Sequence, residues 1–382
     1  MNVAIATVAA GNYVSFARVF AASARRHHPD IPVLLALSDK PGGRLDPAGE
    51  HFEVVDLSEL PISELDAFLF RHSRRQASIA VKPFLLQYAL DSGFDAVVYI
   101  DADVLVVGEV TNLLEASSSN AITLVPHLLE PLEGGDRLSR ELNILQSGAF
   151  NGGVVGVRDT GEGRRFLAWW QDRVSRDCRH AVAEGLHYDQ RWLDLVPAYF
   201  EDVHVFREPG VNVAHWNLPE RDASDWRLFH FSGFQPHHPE ALTQYSDRLP
   251  VGTATQLVPL YLRALLDAGW NETRRWWEYA YGRFDNGVRI PAVVRAVYGD
   301  LGGDAARFGN PFRTAGTGSF FHWLTGPAGG NGGVSQLWHG VHAQRPDLQV
   351  AFPDPLGADE DAFGAWVVKA GAAEHAVPAE LM

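Results

Sequence analysis

The stretch V-V-Y-I-D-A-D-V-L-V, residues 97–106, sets the architecture of this chain. Ala96–Ile100 is an uncharged run rich in β-branched residues, the pattern of a strand buried on both faces. It runs straight into Asp101-Ala102-Asp103, so two carboxylates stand at the carboxyl end of a buried strand, where open α/β sheets bind ligands. Residues i and i+2 of an extended chain point the same way, and both side chains can meet on one cation. Hard divalent ions such as Mg²⁺ or Mn²⁺ take oxygen ligands and leave positions for substrate phosphates. A bare D-x-D also arises as two solvated aspartates in a loop. The apolar strand ahead of it raises this one above that reading.

On either side of the motif the chain alternates strands and helices. Apolar runs at Val3–Val8, Ile31–Leu37 and Phe52–Val55 read as strands, and Asn12–His28 and Ala77–Leu90 as helices. Further strands are expected at Ile122–Pro126, Val154–Val157 and His204–Val205, and helices at Glu162–Arg176 and Asp189–Leu195. The predicted fold class is α/β: a Rossmann-like, mostly parallel sheet with helices on both faces. From about Pro239 helical patterns dominate between Gly/Pro-rich breaks, so the division expected is residues 1–238 as an α/β domain and 239–382 as a mainly helical region.

Composition narrows the function. The 382 residues are 46% hydrophobic and 21% charged, which is globular and excludes disorder as the dominant state. Thirty-two basic against 47 acidic residues leave a net charge of −15, a poor surface for nucleic acid. The single cysteine, Cys178, excludes an intramolecular disulfide framework and a four-cysteine zinc site. The apolar N-terminus has no basic leader region, and no run reaches the ~18 apolar residues of a membrane span. A cytoplasmic protein is expected.

Five further motifs then flank the D-x-D in order: A-T-V-A-A-G-N-Y from Ala6 to Tyr13 and Ala80-Val81-Lys82-Pro83 before it, and F-N-G-G-V-V-G-V over 150–157, H-Y-D-Q over 187–190 and H-F-S-G over 230–233 after it. Over residues 3–236 the chain resembles GT-A-fold nucleotide-sugar glycosyltransferases, most nearly family 8, the glycogenin and lipopolysaccharide galactosyltransferase group. That resemblance implies a GT-A catalytic domain that moves a sugar from a nucleotide-diphosphate sugar, a UDP-sugar being favoured, to a carbohydrate or other hydroxyl acceptor. It implies Mn²⁺ or Mg²⁺ held by Asp101, Asp103 and His230. It assigns Thr7 and Tyr13 to the nucleoside, Lys82 and Asp101 to the donor phosphates, and Asn151, Gly152 and Gly153 to the donor sugar. Asp189 and Gln190 are the implied catalytic pair beneath the anomeric carbon.

Each residue also has a plainer reading. Lys82 would serve as a surface cation, Asp189 as a helix N-cap, His230 as a structural histidine, and Asn151-Gly152-Gly153 as a strand-entry turn. The family normally carries a lysine several residues after that histidine, facing the diphosphate. Here the chain reads F-S-G-F-Q-P-H-H-P, so His237, His238, Arg74 or Arg75 must replace it, or the metal and Lys82 suffice. Trp216 is the tryptophan assigned to the sugar pocket, and Leu128–Ser147 the lid or acceptor loop. Rival readings are a haloacid-dehalogenase-like phosphatase with Asp101 as nucleophile, and a non-catalytic sugar-nucleotide-binding module. Retention of anomeric configuration is expected from the resemblance, with inversion through a base such as Asp189 left open, as is a homo-oligomer.

Overall fold

The computed structural model describes residues 2–40, 42–245, 253–276, 278–329 and 333–382. Trp277, read as core from sequence, and the centre of the Gly326–Gly333 break lie outside them. The strands are β1 (Val3–Ala9), β2 (Val33–Leu37), β3 (Glu53–Val55), β4 (Ala96–Ile100), β5 (Val104–Val106), β6 (Ile122–Pro126), β7 (Phe150–Arg158), β8 (His180–Ala181), β9 (Leu186–His187), β10 (Val203–Val205) and β11 (Leu228–His230). Seven of them form one sheet in the order β10-β6-β7-β4-β1-β2-β3. All its pairings are parallel except those of β7, which runs antiparallel to both β4 and β6. The expected α/β class with a mostly parallel sheet is therefore observed. Every residue of β1, β2 and β4 is buried, which is why these strands read as unbroken apolar runs.

The strand order places the functional edge. From β1 the chain winds outward through β2 and β3, then returns to pair β4 on the other side of β1. The order reverses between β1 and β4, and the crevice outside their carboxyl ends is the switch point where such sheets bind ligands. Asp101 and Asp103 stand there, as does the Gly11–Tyr13 turn that follows β1.

Helices α1 (Val14–His27), α2 (Leu65–Arg71), α3 (Arg74–Ala80), α4 (Lys82–Asp91), α5 (Thr111–Ser119), α6 (Arg137–Ser147), α7 (Gly161–Asp177), α8 (Gln190–Leu193), α9 (Val196–Tyr199) and α10 (Thr253–Asp267) complete this part of the chain. The helix expected over Ala77–Leu90 is two helices that meet at Val81, because Pro83 has no N–H to continue the ladder and sits in the first turn of the second helix. The loop expected over Leu128–Ser147 contains α6, whose Leu138, Leu142 and Leu145 face outward.

The chain divides into two compact units, Met1–Ile62 with Arg75–Tyr279, and Ser63–Arg74 with Ala280–Met382. Residue 238, where the texture of the sequence changes, falls inside the first. There Tyr261 of α10 stacks on Phe231 at 3.8 Å and meets Phe16 of α1 edge-on, joining the helix to the sheet core. The second unit is helical, as the C-terminal sequence pattern predicts, and has its own core around Phe70, Phe284, Tyr298, Phe320 and Phe363. Within it the buried Arg295 guanidinium donates to the carbonyls of Leu69, Phe70 and His72 at 3.1, 2.6 and 2.9 Å, and to that of Tyr281 at 2.6 Å. The carbonyls of Leu69, Phe70 and His72 lie at the C-terminal end of α2, where a helix leaves its last carbonyls without intrahelical partners. Among the described residues no helix is long and apolar enough to cross a membrane.

Candidate active site

The acidic pair is joined to its histidine by a short antiparallel ribbon. β11 pairs with β5 so that His230 lies opposite Val104, and Phe231 N–H donates to the Asp103 carbonyl at 2.9 Å. His230 Nε2 consequently lies 3.1 Å from Asp103 Oδ1 and 3.8 Å from Asp101 Oδ2. Ligand atoms of Asp101, Asp103 and His230 all fall within 4.8 Å of one another. Sequence spacing could not show this convergence; the β5–β11 ribbon makes it.

These three fit a divalent cation by their chemistry. His230 Nδ1–H donates to Asn212 Oδ1 at 3.0 Å, a bond that leaves Nε2 bare and turned toward the carboxylates. Asn212 is fully buried and holds a left-handed backbone, φ 59°, which asparagine tolerates better than most residues. Burial works against a charged His230, but Asp103 beside the ring outweighs it and the imidazole pKa rises above its ordinary value. Two carboxylates drawing a proton onto an imidazole is the electrostatics of a cation site.

The start of β7 closes one side. Asp101 N–H donates to the Gly153 carbonyl at 2.9 Å. A Cβ on Gly153 would lie 2.6 Å from Asp101 Oδ2 and 2.8 Å from His230 Cε1, and one on Gly152 would lie 2.9 Å from Asp189 Oδ2. Only glycine lets the backbone come this close. Asn151 does not point into open space. Its amide donates to His127 Nε2 at 2.9 Å and to Gln190 Oε1 at 3.2 Å, while its Oδ1 accepts from Gly153 N–H at 2.8 Å. Gln190 also accepts from Gly152 N–H at 3.1 Å and donates to the Ser147 carbonyl at 2.8 Å. Asn151 and Gln190 thus fix the glycine backbone.

Asp189 is 3% exposed and lies under that backbone. The residue before it, Tyr188, has a left-handed φ of 51°, a costly conformation that turns the chain from the β8–β9 hairpin into α8. Burial raises the Asp189 pKa, opposed by Lys82. Lys82, at the first turn of α4 and 4% exposed, is directed inward. Its ammonium donates to the Gly152 carbonyl at 2.9 Å and pairs with Asp189 at 3.2 Å and Asp101 at 3.3 Å, 4.8 Å from the Tyr99 ring centre. The Tyr99 hydroxyl donates to Asp101 Oδ1 at 2.7 Å.

Of the residues assigned to the nucleoside, Tyr13 is 38% exposed and stacked on Phe16 at 4.6 Å, with its hydroxyl in the fields of Asp103 and Arg75. Thr7 is wholly buried in β1, and its hydroxyl has no hydrogen-bond partner among the described residues. Trp216 sits between His127 and His230, edge-on to both at 5.1 and 5.3 Å. Its carbonyl accepts from Arg140 of α6 at 2.8 Å. Three residues at the site were not singled out from sequence: His127, Asn212 and Tyr245, whose hydroxyl accepts from Arg75 at 3.3 Å. His127 stands immediately past β6, a strand end at the same edge as the D-x-D, and that position was its one available signal. Burial lowers its pKa to about 3, so it is neutral. Asn212 and Tyr245 lie in loops without periodic pattern.

No protein-family model matches the chain. It is 26% identical over 231 residues to the uncharacterized protein YfnF of Bacillus subtilis, covering 54% of this chain and 73% of that one. Among solved structures it is similar to the galactosyltransferase LgtC, solved with donor and acceptor sugar analogues, at 17% identity and a TM-score of 0.43, covering 68% of this chain and 95% of LgtC. It is also similar to the glycosyltransferase GlyE of Streptococcus pneumoniae TIGR4, at 13% identity and a TM-score of 0.42. That likeness covers 72% of this chain and 62% of GlyE. At these levels of likeness the activity has to be argued from the chain's own site.

Proposed function

We propose that the protein is a metal-dependent glycosyltransferase of GT-A type that moves a sugar from a nucleotide-diphosphate sugar to a hydroxyl acceptor with retention. The observation that carries this reading is the joint placement of Asp101, Asp103 and His230 at the sheet's switch point, with the Asp189–Lys82 pair buried beside them. Asp101, Asp103 and His230 would hold Mn²⁺ or Mg²⁺, which when bound supplies positive charge for the leaving diphosphate.

The remaining steps belong to protein groups. Tyr13 offers an exposed aromatic face for the nucleoside. Gly152 and Gly153 give the donor sugar access to the backbone, and Asn151 with Gln190 holds that backbone still. As the bond from the anomeric carbon to the diphosphate breaks, the diphosphate leaves with the electron pair and positive charge grows on the sugar. A fixed carboxylate beneath it stabilises that charge, and Asp189 suits the role. Its ion pair with Lys82 favours the carboxylate form, so stabilising that charge suits Asp189 better than taking up the acceptor's proton. The acceptor oxygen forms its bond on the face the diphosphate leaves, and its proton passes to that departing oxygen. All of these residues lie within 1–238.

A thermal-shift series with UDP-, GDP- and dTDP-sugars, with and without Mn²⁺, tests the reading, because a ligand bound only by the folded state raises its melting temperature. A rise that needs both nucleotide sugar and metal is expected with one base. If no combination shifts the transition, the reading is wrong.

A further inference from the structure

The cleft needs a cation that Lys82 cannot supply. The Lys82 ammonium is already directed at the Gly152 carbonyl and at the carboxylates of Asp189 and Asp101, 2.9, 3.2 and 3.3 Å away. Its one positive charge is already offset by those two carboxylates before any phosphate arrives. It holds the cleft's own carboxylates together. A divalent ion between Asp101, Asp103 and His230 would offset those two aspartates. A diphosphate would then enter facing nothing of opposite charge unless the wall provides it.

One cation on that wall has no acid to answer to. Arg75 of α3 donates to the Tyr245 hydroxyl at 3.3 Å and lies 5.0 Å from the centre of the Tyr188 ring, and no carboxylate pairs with it among the described residues. Tyr188 directly precedes Asp189, so the guanidinium rests against the neighbour of the buried carboxylate. Tyr245 in turn packs on Gly233, three residues past His230, where an added Cβ would lie 2.5 Å from its ring, and the Tyr13 hydroxyl lies in the fields of Arg75, Asp103 and Asp101. Arg75 therefore faces the same space as the acidic pair. Aromatic faces hold a guanidinium without using up its fork of N–H donors, and that fork matches phosphate oxygens in pairs.

Arg74 makes contacts of its own, and Arg140 of α6 donates to the Trp216 carbonyl at 2.8 Å. His238 pairs with Glu240 at 3.2 Å on the surface, and Arg274 lies over Trp270. His237 and Arg275 line a cavity of about 390 Å³ with Asn12, Tyr13 and Phe234, which makes them the rivals to be tested. We infer that Arg75 is the residue that binds the donor diphosphate, parked on Tyr188 and Tyr245 until the phosphate displaces the Tyr245 hydroxyl. The inference rests on the glycosyl-transfer reading above and names the residue that does the work of the lysine missing after His230.

Calorimetric titration of the full chain with UDP, GDP and dTDP in Mn²⁺, and with the corresponding nucleosides, separates the possibilities. Arg75→Gln should weaken the bound diphosphate by about 10–100-fold, the effect of losing a charged hydrogen-bond donor. Nucleoside affinity should change less than about threefold, and Arg75→Lys should recover part of the loss, as a point charge does for a fork. Equal losses for nucleoside and diphosphate would mean a merely structural arginine and overturn the assignment. So would a larger diphosphate loss in His237→Gln or Arg275→Gln. If the unmodified protein binds a diphosphate and Arg75→Gln binds it as tightly, the assignment alone falls. If the unmodified protein binds none of the three with Mn²⁺ or Mg²⁺, the glycosyl-transfer reading falls and Arg75 with it.

Discussion

Two buried cations, one in each compact unit, show what separates a site from a core. Arg295 spends its guanidinium on four neutral carbonyls, and the aromatic side chains around it complete a sealed interior. Lys82 is surrounded by carboxylates, with two more ligand groups, Asp103 and His230, close behind Asp101. Residues of this site hold several buried polar atoms without hydrogen-bond partners among the described residues, among them Thr7 Oγ1, His127 Nδ1, Asn212 Nδ2 and Asp189 Oδ2. The last lies 3.2 Å from the ammonium but is not aligned for a hydrogen bond. Unmet polar groups are costly in a finished core and expected where a ligand completes the set. Arg295 stabilises; Lys82 organises a place that awaits something.

The largest effect should come from the acidic pair. Asp103→Asn is expected to reduce glycosyl transfer by about 10³-fold or more, beyond the 10–100-fold typical of groups that only orient a ligand. The fold should survive, since the change removes one of several crowded negative charges; transfer within tenfold of the starting protein would remove Asp103 from the metal. Next come the two cations. Lys82→Met leaves Asp101 and Asp189 buried without their counter-ion and should cost about 3–5 kcal/mol in urea unfolding. Arg295→Met leaves neutral carbonyls unmet and should cost about 2–4 kcal/mol. Metal-dependent nucleotide binding should vanish in the first and persist in the second under conditions where both fold. Equal behaviour would erase the distinction drawn between them.

Removing the partner of an imidazole is a smaller step. Asn212→Ala frees the His230 ring to turn, and Mn²⁺ affinity should fall about 10–100-fold with little change in melting temperature. Unchanged affinity by calorimetry would show that the β5–β11 ribbon alone orients the ring. The smallest effect is on acid stability. His127 is neutral in the folded state with a pKa near 3, below its unfolded value. Its contribution is therefore complete above about pH 6.5 and is lost as the pH falls toward 3, by at most ~1.4 kcal/mol per pH unit. His127→Gln should lose about 1–2 kcal/mol less than the starting protein between pH 7 and pH 5. Parallel acid limbs would assign the loss to half-buried histidines such as His187 and His215, each near 4.

Much of the first unit was legible because buried parallel strands are written as unbroken apolar runs. Ala96–Ile100 and Ile122–Pro126 match their predicted limits, and the D-x-D lies where its strand ends. Helices with weak or mixed patterns were harder. α6 carries Leu138, Leu142 and Leu145 at helical spacing, but Gly134-Gly135 ahead of it and its place between two strands favoured a loop, and its apolar face stays exposed. Helices at Phe320–Thr325, Gln336–Ala343 and Pro346–Ala351 are short, and their neighbouring glycines made the segment look irregular. Tyr261 gave no sign that α10 would stack on Phe231 in the first unit's core, since a stacking partner thirty residues away leaves no local period.

At the site, residue types were readable and directions were not. Carboxylates after a strand, glycines at a strand entry and a histidine after an apolar patch are local facts, because backbone period and conformational freedom are local properties. That Lys82 turns inward, that Asn151 and Gln190 brace the glycines, and that Asn212 aims His230 depend on what lies across the sheet, and only packing decides that. The chain alone determined an α/β sheet with acids at one strand tip. The tertiary structure chose which distant groups those acids meet, because electrostatic and hydrogen-bond energies fall off with distance in space and take no account of separation along the chain.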